Sequence, residues 1–160
     1  MGNQLFTFPP IPERTQVPAG KTRLCVAGWP NSPHVGRAVN LAREIVKADP
    51  ASYESWFYLT YGSNLRGEQG DGKGGLYGEV KDKFPSEDKT RLANHKSVPF
   101  CWLEMPGGGS KGFGGRDKLC EWVQTQPKLM AVEAIKQLAT TDPVAPGDMF
   151  CDTSPGTAQQ

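Results

Sequence analysis

Three features that the 160-residue sequence lacks narrow its function before any motif is considered. It has no run of about 18 apolar residues, so no helix is expected to cross a membrane. Its first 20 residues contain no apolar signal core, so an intracellular, cytoplasmic location is expected. Its 18 Lys and Arg residues nearly balance 17 Asp and Glu residues, and a net charge of +1 offers no basic field for binding nucleic acid.

Metal ligands and paired cysteines are also scarce. Four cysteines stand at positions 25, 101, 120 and 151, none of them in a Cys-x-x-Cys pair, and the only histidines are His34 and His95. This spacing does not predict a metal site. The apolar neighbours of Cys25 and Cys101 indicate buried, reduced thiols, as expected in a reducing compartment.

The composition predicts one domain between two irregular ends. Four prolines within residues 1–20 indicate an extended, Pro-rich arm. Residues 141–160, with three further prolines, are predicted to form an irregular C-terminal tail. Residues 21–140 remain as a single domain, which is long enough to bury a core without disulfide or metal support.

Hydrophobic spacing within that domain predicts the order β-α-β-(α)-β-β-α. The first helix begins at Ser32 as N-cap, with Pro33 as its first residue, and ends at Asp49-Pro50. The strands are predicted at residues 22–28, 53–60, 98–104 and 111–113, and the later helices at 85–94, 117–124 and 129–139. Residues 62–78 hold seven glycines and are predicted to be a loop with a small hairpin at Leu76-Tyr77.

Two glycine motifs in that segment superficially match phosphate-binding loops. Residues 70–75 fit Gly-x-Gly-x-x-Gly, and residues 67–73 fit Gly-x-x-x-x-Gly-Lys. A phosphate loop must open a helix, and Leu-Tyr-Gly is not expected to begin one. Gly74 also replaces the Ser or Thr that would hold magnesium. A surface loop without a ligand is therefore the prediction.

Three short motifs, in order and on matching elements, resemble the glutaredoxin family of the thioredoxin fold. The family's active turn, typically Lys-Pro-Gly-Cys-Pro-Tyr-Cys, corresponds to Trp-Pro-Asn-Ser-Pro-His-Val at residues 29–35. Its Thr-Val-Pro corresponds to Ser-Val-Pro at residues 97–99, and its Gly-Gly-x-Asp-Asp-Leu to Gly-Gly-Arg-Asp-Lys-Leu at 114–119. The resemblance covers about residues 22–125 and treats 61–84 as a Gly-rich insertion. It implies a three-layer α/β fold, with a mixed sheet of about four strands flanked by helices.

The departures from the family's pattern concern its chemistry. Ser32 stands where the family has its nucleophilic cysteine, and Val35 replaces the resolving cysteine. Trp29 replaces the lysine that helps to bind glutathione in the family. A serine hydroxyl cannot take part in thiol–disulfide exchange, so oxidoreductase activity is not expected. Monothiol-type cluster assembly would likewise lack its cysteine ligand.

The resemblance also implies what remains of a glutathione site. In the family, the residue before a cis proline pairs with the cysteinyl part of glutathione, and Gly-Gly-x-Asp holds its γ-glutamyl end. The matching positions here are Val98, Pro99, Gly114, Gly115 and Asp117. From the residues alone, Val98-Pro99 also fits a strand that starts after a trans proline, and Gly-Gly-x-Asp fits a tight turn with an N-cap.

Three functions stay open at this point. The leading one is a non-catalytic interaction or structural subunit of a larger assembly, whether cytoskeletal, ciliary or organellar. Its contact candidates are Trp29, which is either a core residue or an interface anchor, and a rim of His34, Arg37 and Arg116. The second is a glutathione-binding protein or a transferase-like enzyme that uses Ser32, with glutathione as the one ligand considered. The third is a thiol redox sensor acting through Cys151.

Overall fold

A computed structural model describes residues 10–142 of the chain, in which four strands form one mixed sheet. The sheet consists of β1 (Thr22–Gly28), β2 (Tyr53–Leu59), β3 (Phe100–Glu104) and β4 (Ser110–Gly114). Its order is β2-β1-β3-β4: β2 runs parallel to β1, whereas β3 is antiparallel to both β1 and β4. The predicted α/β class is confirmed, and this topology is compatible with a thioredoxin-like fold.

Seven α-helices surround the sheet within residues 10–142, besides a short 3-10 turn at Pro106–Gly108. They are α1 (Pro33–Ala48), α2 (Ser63–Arg66), α3 (Gly75–Asp82), α4 (Ser86–Arg91), α5 (Arg116–Gln124), α6 (Pro127–Met130) and α7 (Glu133–Leu138). The boundaries of α1 agree with the prediction: Ser32 is the N-cap, Pro33 the first residue and Asp49 the C-cap. Strong end signals and a regular apolar stripe explain why this helix was predictable.

Alternating side chains give the sheet two buried faces, and each face has its own apolar cluster. Leu24, Val26, Phe57 and Leu103 pack on one side with residues of α1, α5, α6 and α7. Cys25, Trp56, Tyr58 and Trp102 pack on the other with residues of α2 and α3 and with Phe84 and Leu92, which flank α4. The molecule therefore has helix, sheet and helix layers. Because both faces are covered, β1 and β2 are almost continuously apolar.

The predicted loop at residues 62–78 is wrong, since α2 and the first half of α3 lie there. Leu65, Leu76, Tyr77 and Val80 are buried in the second apolar cluster. This burial outweighs the poor helix propensity of the surrounding glycines, which hid the helical spacing in the sequence. No hairpin forms at Leu76-Tyr77, because both residues belong to α3.

A second correction concerns the predicted helix at residues 129–139. The chain forms two short helices there, α6 and α7, with extended backbone at Val132 between them. Leu129 and Ile135 are both buried against the cluster that contains α1, so each short helix has its own apolar anchor. The apolar residues whose spacing suggested one helix are therefore divided between α6 and α7.

The described part of the predicted arm, residues 10–20, contains no helix or strand. Arg14 ties it to the domain, because its guanidinium contacts Glu104 at 2.9 Å and Glu79 at 3.0 Å. Residues 1–9 of the arm and residues 143–160 of the predicted tail, including Cys151, lie outside the described residues.

Candidate functional site

The N-terminus of α1 holds Ser32 where the resemblance places a nucleophilic cysteine. The Ser32 hydroxyl accepts a hydrogen bond from the Val35 amide at 3.4 Å, and its carbonyl accepts one from Gly36 at 2.9 Å. The side chain thus serves as a helix cap, satisfying an amide that has no partner within the helix. Ser32 and Pro33 thus occupy the positions expected from the sequence, and the Ser32 hydroxyl stabilises the start of the helix.

The three cysteines within the described residues lie away from this turn. Cys25 is in β1, Cys101 in β3 and Cys120 in α5, and all three are buried as free thiols. Burial raises the pKa of each thiol: that of Cys25 lies well above its ordinary value, and those of Cys101 and Cys120 are also raised. Buried thiols of high pKa are inert as nucleophiles. Burial of Cys25 and Cys101 was predicted, whereas Cys151 lies outside the described residues.

Gly28, at the end of β1, allows the segment before β3 to approach the start of α1. A Cβ atom at Gly28 would lie 2.5 Å from Val35 Cγ2 and 3.4 Å from both the Pro99 Cα and the Val98 Cβ. Only a residue without a side chain permits this approach. The Val98–Pro99 peptide bond is cis, as the resemblance implies.

A cavity of about 580 Å³ lies between the start of α1, the Val98–Pro99 segment and the start of α5. Four of the five predicted ligand positions line it: Val98, Pro99, Gly115 and Asp117. The fifth, Gly114, and the alternative catalytic candidate, Ser32, are not among its lining residues. The remaining lining residues are His34, Arg116, Lys118 and Thr141.

The start of α5 gives this cavity its polar wall. Gly115 is the N-cap and supplies no side-chain cap, and the amides of residues 116–118 donate no hydrogen bond within the described part of the chain. The Asp117 side chain is 65% exposed and lies 3.5 Å from the Arg116 guanidinium. Unpaired amides at a helix start favour an anionic group, and Lys118 adds a positive charge.

Arg37 and Arg116, predicted as rim residues, are not exposed. Arg37 is 8% exposed and Arg116 only 5%, so neither guanidinium forms the accessible rim that was expected from the sequence. Arg116 donates hydrogen bonds to the Thr140 carbonyl at 2.8 Å and the Asp142 carbonyl at 3.2 Å. Arg37 also donates to the Asp142 carbonyl, at 3.4 Å. Both guanidiniums therefore hold residues 140–142 against the helices and make Thr141 part of the cavity wall.

The predicted contact residues Trp29 and His34 have different surroundings. Trp29 is half-buried against the second apolar cluster, and the Arg66 guanidinium lies 5.0 Å from its ring centre. His34 is exposed, and its Nδ1 accepts a hydrogen bond from Arg116 Nε at 3.4 Å. The packing of Trp29 agrees with a partial core role, and its role as an interface anchor stays a prediction.

Sequence reasoning missed Tyr61, Lys118 and Thr141. Tyr61 is 54% exposed, more than any other large apolar residue in the described part of the chain. Tyr61 is the second residue after β2, and Trp29 is the first residue after β1. The Thr60 amide donates to the Gly28 carbonyl at 2.9 Å, so the two strand ends are neighbours. Because β1 and β2 are parallel, their ends meet at one edge of the sheet, and this could have placed Tyr61 near the end of β1. Lys118 lies in the first turn of α5, and this could have placed it at the cavity. No local signal indicates Thr141, which depends on the buried arginines.

The glycine motifs at residues 67–75 do precede a helix, contrary to prediction, yet the glycines face the protein itself. A Cβ atom at Gly75 would lie 2.6 Å from the Asn64 carbonyl oxygen, and one at Gly67 would lie 2.8 Å from the Gly74 Cα. Gly72, with φ of 76°, packs against the His95 carbonyl. Close internal packing explains these glycines, and the predicted absence of a phosphate role stays a prediction.

No group of three His, Cys, Asp or Glu side chains suited to a metal ion occurs within residues 10–142. None of the helices found over the same residues is both long and apolar enough to span a membrane. Comparison of the chain with protein-family models, with curated proteins and with solved structures finds no match.

Proposed function

We propose that this chain is a redox-inactive relative of the glutaredoxins that acts as a non-catalytic interaction or structural subunit of a larger protein assembly. The observation that carries the proposal is the Ser32 hydroxyl at the start of α1, where it caps the Val35 amide. Ser32 leaves that turn without a thiol, and the three cysteines among residues 10–142 are buried, so the described part of the chain offers no accessible thiol for disulfide exchange.

The surface that would contact a partner is the strand-end face, which we define as Trp29, His34 and Tyr61. Tyr61 is exposed and Trp29 is half-buried, and aromatic side chains of these kinds serve as anchors in protein interfaces. The cation–π contact from Arg66 holds the Trp29 ring in place at 5.0 Å. A preordered aromatic side chain loses little conformational entropy when it binds.

The test compares Trp29→Ala and Tyr61→Ser with Trp122→Ala in the full chain, each expressed in place of the native protein. Trp122 is a matched control because it packs on Phe113, at a ring distance of 5.6 Å, within the other apolar cluster. Size-exclusion chromatography of native lysate should show the unaltered chain in a large complex. Trp29→Ala should weaken incorporation by more than about 1 kcal/mol, roughly fivefold.

Tyr61→Ser keeps the test decisive if Trp29→Ala unfolds the domain, because the exposed Tyr61 side chain contributes little to the core. Weaker incorporation of either folded variant, with Trp122→Ala unaffected, supports the proposal. An unaltered chain that elutes as a monomer contradicts it. So does normal incorporation of both folded variants.

A second candidate function, glutathione binding without thiol chemistry, is favoured by the cavity beside α5. Val98, Pro99, Gly115 and Asp117, which the resemblance assigns to the glutathione site, line that one cavity. The transferase variant of this function has less support, because Ser32 is not among the lining residues and its hydroxyl caps α1. A sensor role for Cys151 stays a prediction, as that residue lies outside the described ones.

Titration of the ¹⁵N-labelled chain with reduced glutathione to millimolar concentration tests this second function. Binding should shift the amide signals of Val98 and of residues 115–118, and Asp117→Ala should weaken it. Glu121→Ala, which removes an exposed carboxylate one turn further along α5, is the matched control. Absence of any shift at millimolar glutathione would exclude this function and leave the interaction role.

A further inference from the structure

The five residues before Val98 form no helix or strand beyond a turn, yet side chains from α2 and α3 hold their carbonyls. Lys81 Nζ donates hydrogen bonds to the His95 carbonyl at 2.7 Å and the Ala93 carbonyl at 3.4 Å. It also donates to the Gly72 carbonyl, at 2.8 Å. One ammonium group therefore ties the Gly-rich segment before α3 to the segment that leads into the candidate site.

Two more donors continue this pattern toward the site. The Arg66 guanidinium donates to the Lys96 carbonyl at 2.9 Å, and the Tyr77 hydroxyl donates to the Ser97 carbonyl at 2.7 Å. The carbonyls of residues 95, 96 and 97 are thus bound one after another by Lys81, Arg66 and Tyr77. We call these three donors the carbonyl clamp. The next residue along the chain is Val98, which lines the cavity.

The His95 ring strengthens the same contact. It stacks with Tyr77 at a ring distance of 6.1 Å and with Phe100 at 5.4 Å, so it lies between α3 and the start of β3. Tyr77 contacts Phe100 directly, at 4.4 Å. Side chains of α2 and α3 therefore hold segment 93–97 by its carbonyls, and Tyr77 and Phe100 hold it by the His95 ring.

Burying the charged side chain of Lys81 carries a desolvation penalty that packing alone does not explain. Lys81 is 6% exposed, and burial lowers the pKa of its ammonium group. A methionine of similar length would fill the space without the desolvation penalty of a buried charge. The carbonyls that it binds are its direct hydrogen-bond acceptors, the Tyr77 ring lies 5.8 Å away, and Asp71 opposes the effect of burial on its pKa. The chain thus retains a charged donor where its hydrogen bonds, and not its volume, are what the position requires.

Val98 has no such support of its own. Its backbone amide and carbonyl make no hydrogen bond with any described residue, and the ladder with β1 begins at Phe100. The direction in which Val98 presents these two groups consequently depends on the residues before it. On the opposite side, Val98 lies close to Gly28, whose lack of a side chain leaves room for it.

We propose that Lys81, with Tyr77 and Arg66, positions the Val98 backbone at the candidate site. Residues 61–84, which resemble an insertion relative to the glutaredoxins, would then support the segment that leads into Val98. Lys81 touches no ligand in this arrangement and acts only through residues 93–97. The inference rests on the second candidate function for its consequence in binding, but its structural part is measurable without any ligand.

The test uses the full ¹⁵N-labelled chain and the variants Lys81→Met, Lys81→Arg and Lys83→Met. Lys81→Met keeps side-chain length and removes the donor, whereas Lys81→Arg retains a donor. Lys83→Met is the control, because that side chain is 62% exposed. The amides of residues 96–98 donate no hydrogen bond within the described residues, so they are followed by their ¹⁵N–¹H chemical shifts, whereas exchange is measured at the His95 amide, which donates to the Leu92 carbonyl at 2.9 Å. In Lys81→Met, exchange at the His95 amide should rise at least about tenfold, the loss expected for a hydrogen bond from a charged group, and the amide signals of residues 96–98 should shift. Residues 101–103 should be unchanged, and Lys81→Arg should restore part of the protection.

Equal exchange at the His95 amide, with unshifted amide signals of residues 96–98, in folded Lys81→Met and unaltered chain would overturn the proposal. A uniform rise through β1 and β3 would also overturn it, because Lys81 would then serve stability in general. If Lys81→Met fails to fold, Tyr77→Phe removes the single hydroxyl that donates to the Ser97 carbonyl, and the amide signals of Ser97 and Val98 should shift. Unshifted signals there would count equally against the clamp.

Titration of the same variants with reduced glutathione separates this proposal from the second candidate function. If the unaltered chain binds, Lys81→Met should bind at least about fivefold more weakly and Lys83→Met normally. Equal affinity of Lys81→Met would refute the positioning role. If the unaltered chain does not bind glutathione, the second function fails, and the exchange data alone decide whether the clamp exists.

Discussion

Replacing Ser32 with cysteine would test whether the start of α1 still has the electrostatics of a thiol active site. The Ser32 hydroxyl accepts a hydrogen bond from the Val35 amide, and Pro33 begins a 16-residue helix. A thiolate at a helix start gains about 0.3–2 kcal/mol from the helix dipole and unpaired amides. Since 1.36 kcal/mol changes a pKa by one, the thiol introduced by S32C should titrate at roughly 7–8 instead of about 8.5.

The measurement is the rate of alkylation by iodoacetamide from pH 5 to 10, made on S32C in a Cys151→Ser background. Cys25, Cys101 and Cys120 are buried with raised pKa values, so they should react slowly in the folded chain. Cys151→Ser alone is the control and should show no fast phase. A fast-reacting thiol with a pKa of 8.5 or above would refute the reasoning, because the turn would then provide no stabilisation of an anion.

Two further predictions concern stability. Glu104→Gln should destabilise the domain by about 1–3 kcal/mol in urea unfolding, because its carboxylate accepts from Arg14, Arg23 and Trp102 at 2.9–3.0 Å. Although burial opposes ionisation, these partners lower the pKa of Glu104, so its contribution is complete above about pH 4.3 and is lost as the pH falls through the lower folded pKa. The unaltered chain should therefore lose stability more steeply than Glu104→Gln below that pH, and parallel curves would contradict this account. Gly28→Ala should cost about 1–3 kcal/mol and shift the amide signals of Val35 and Val98, since its new Cβ would crowd both segments; an unchanged spectrum would contradict the close approach.

Features with local chemical causes were predictable from the sequence. Ser32 and Pro33 mark the start of α1 because capping and a fixed proline φ act within a few residues. The apolar runs of β1 and β3 predicted buried strands with buried Cys25 and Cys101. The three motifs also indicated residues that line one cavity, although they are far apart in sequence.

Features that depend on tertiary packing were not predictable in this way. The glycines around α3 conceal a helix whose stability comes from burying Leu76 and Tyr77 against the sheet. Arg116 was expected at the rim of a contact face, but it is buried and donates to the carbonyls of Thr140 and Asp142, which are distant in sequence. The clamp by Lys81 is hidden for the same reason, because its acceptors are backbone groups that no sequence pattern marks.

The most direct test of the central claim is the glutathione-dependent reduction of a glutathionylated peptide by the full, unaltered chain. We predict no acceleration above the rate with glutathione alone, because Ser32 occupies the start of α1 and the three described cysteines are buried. Acceleration that scales with the concentration of the chain and disappears when its cysteines are replaced would contradict the claim that this protein acts without thiol chemistry.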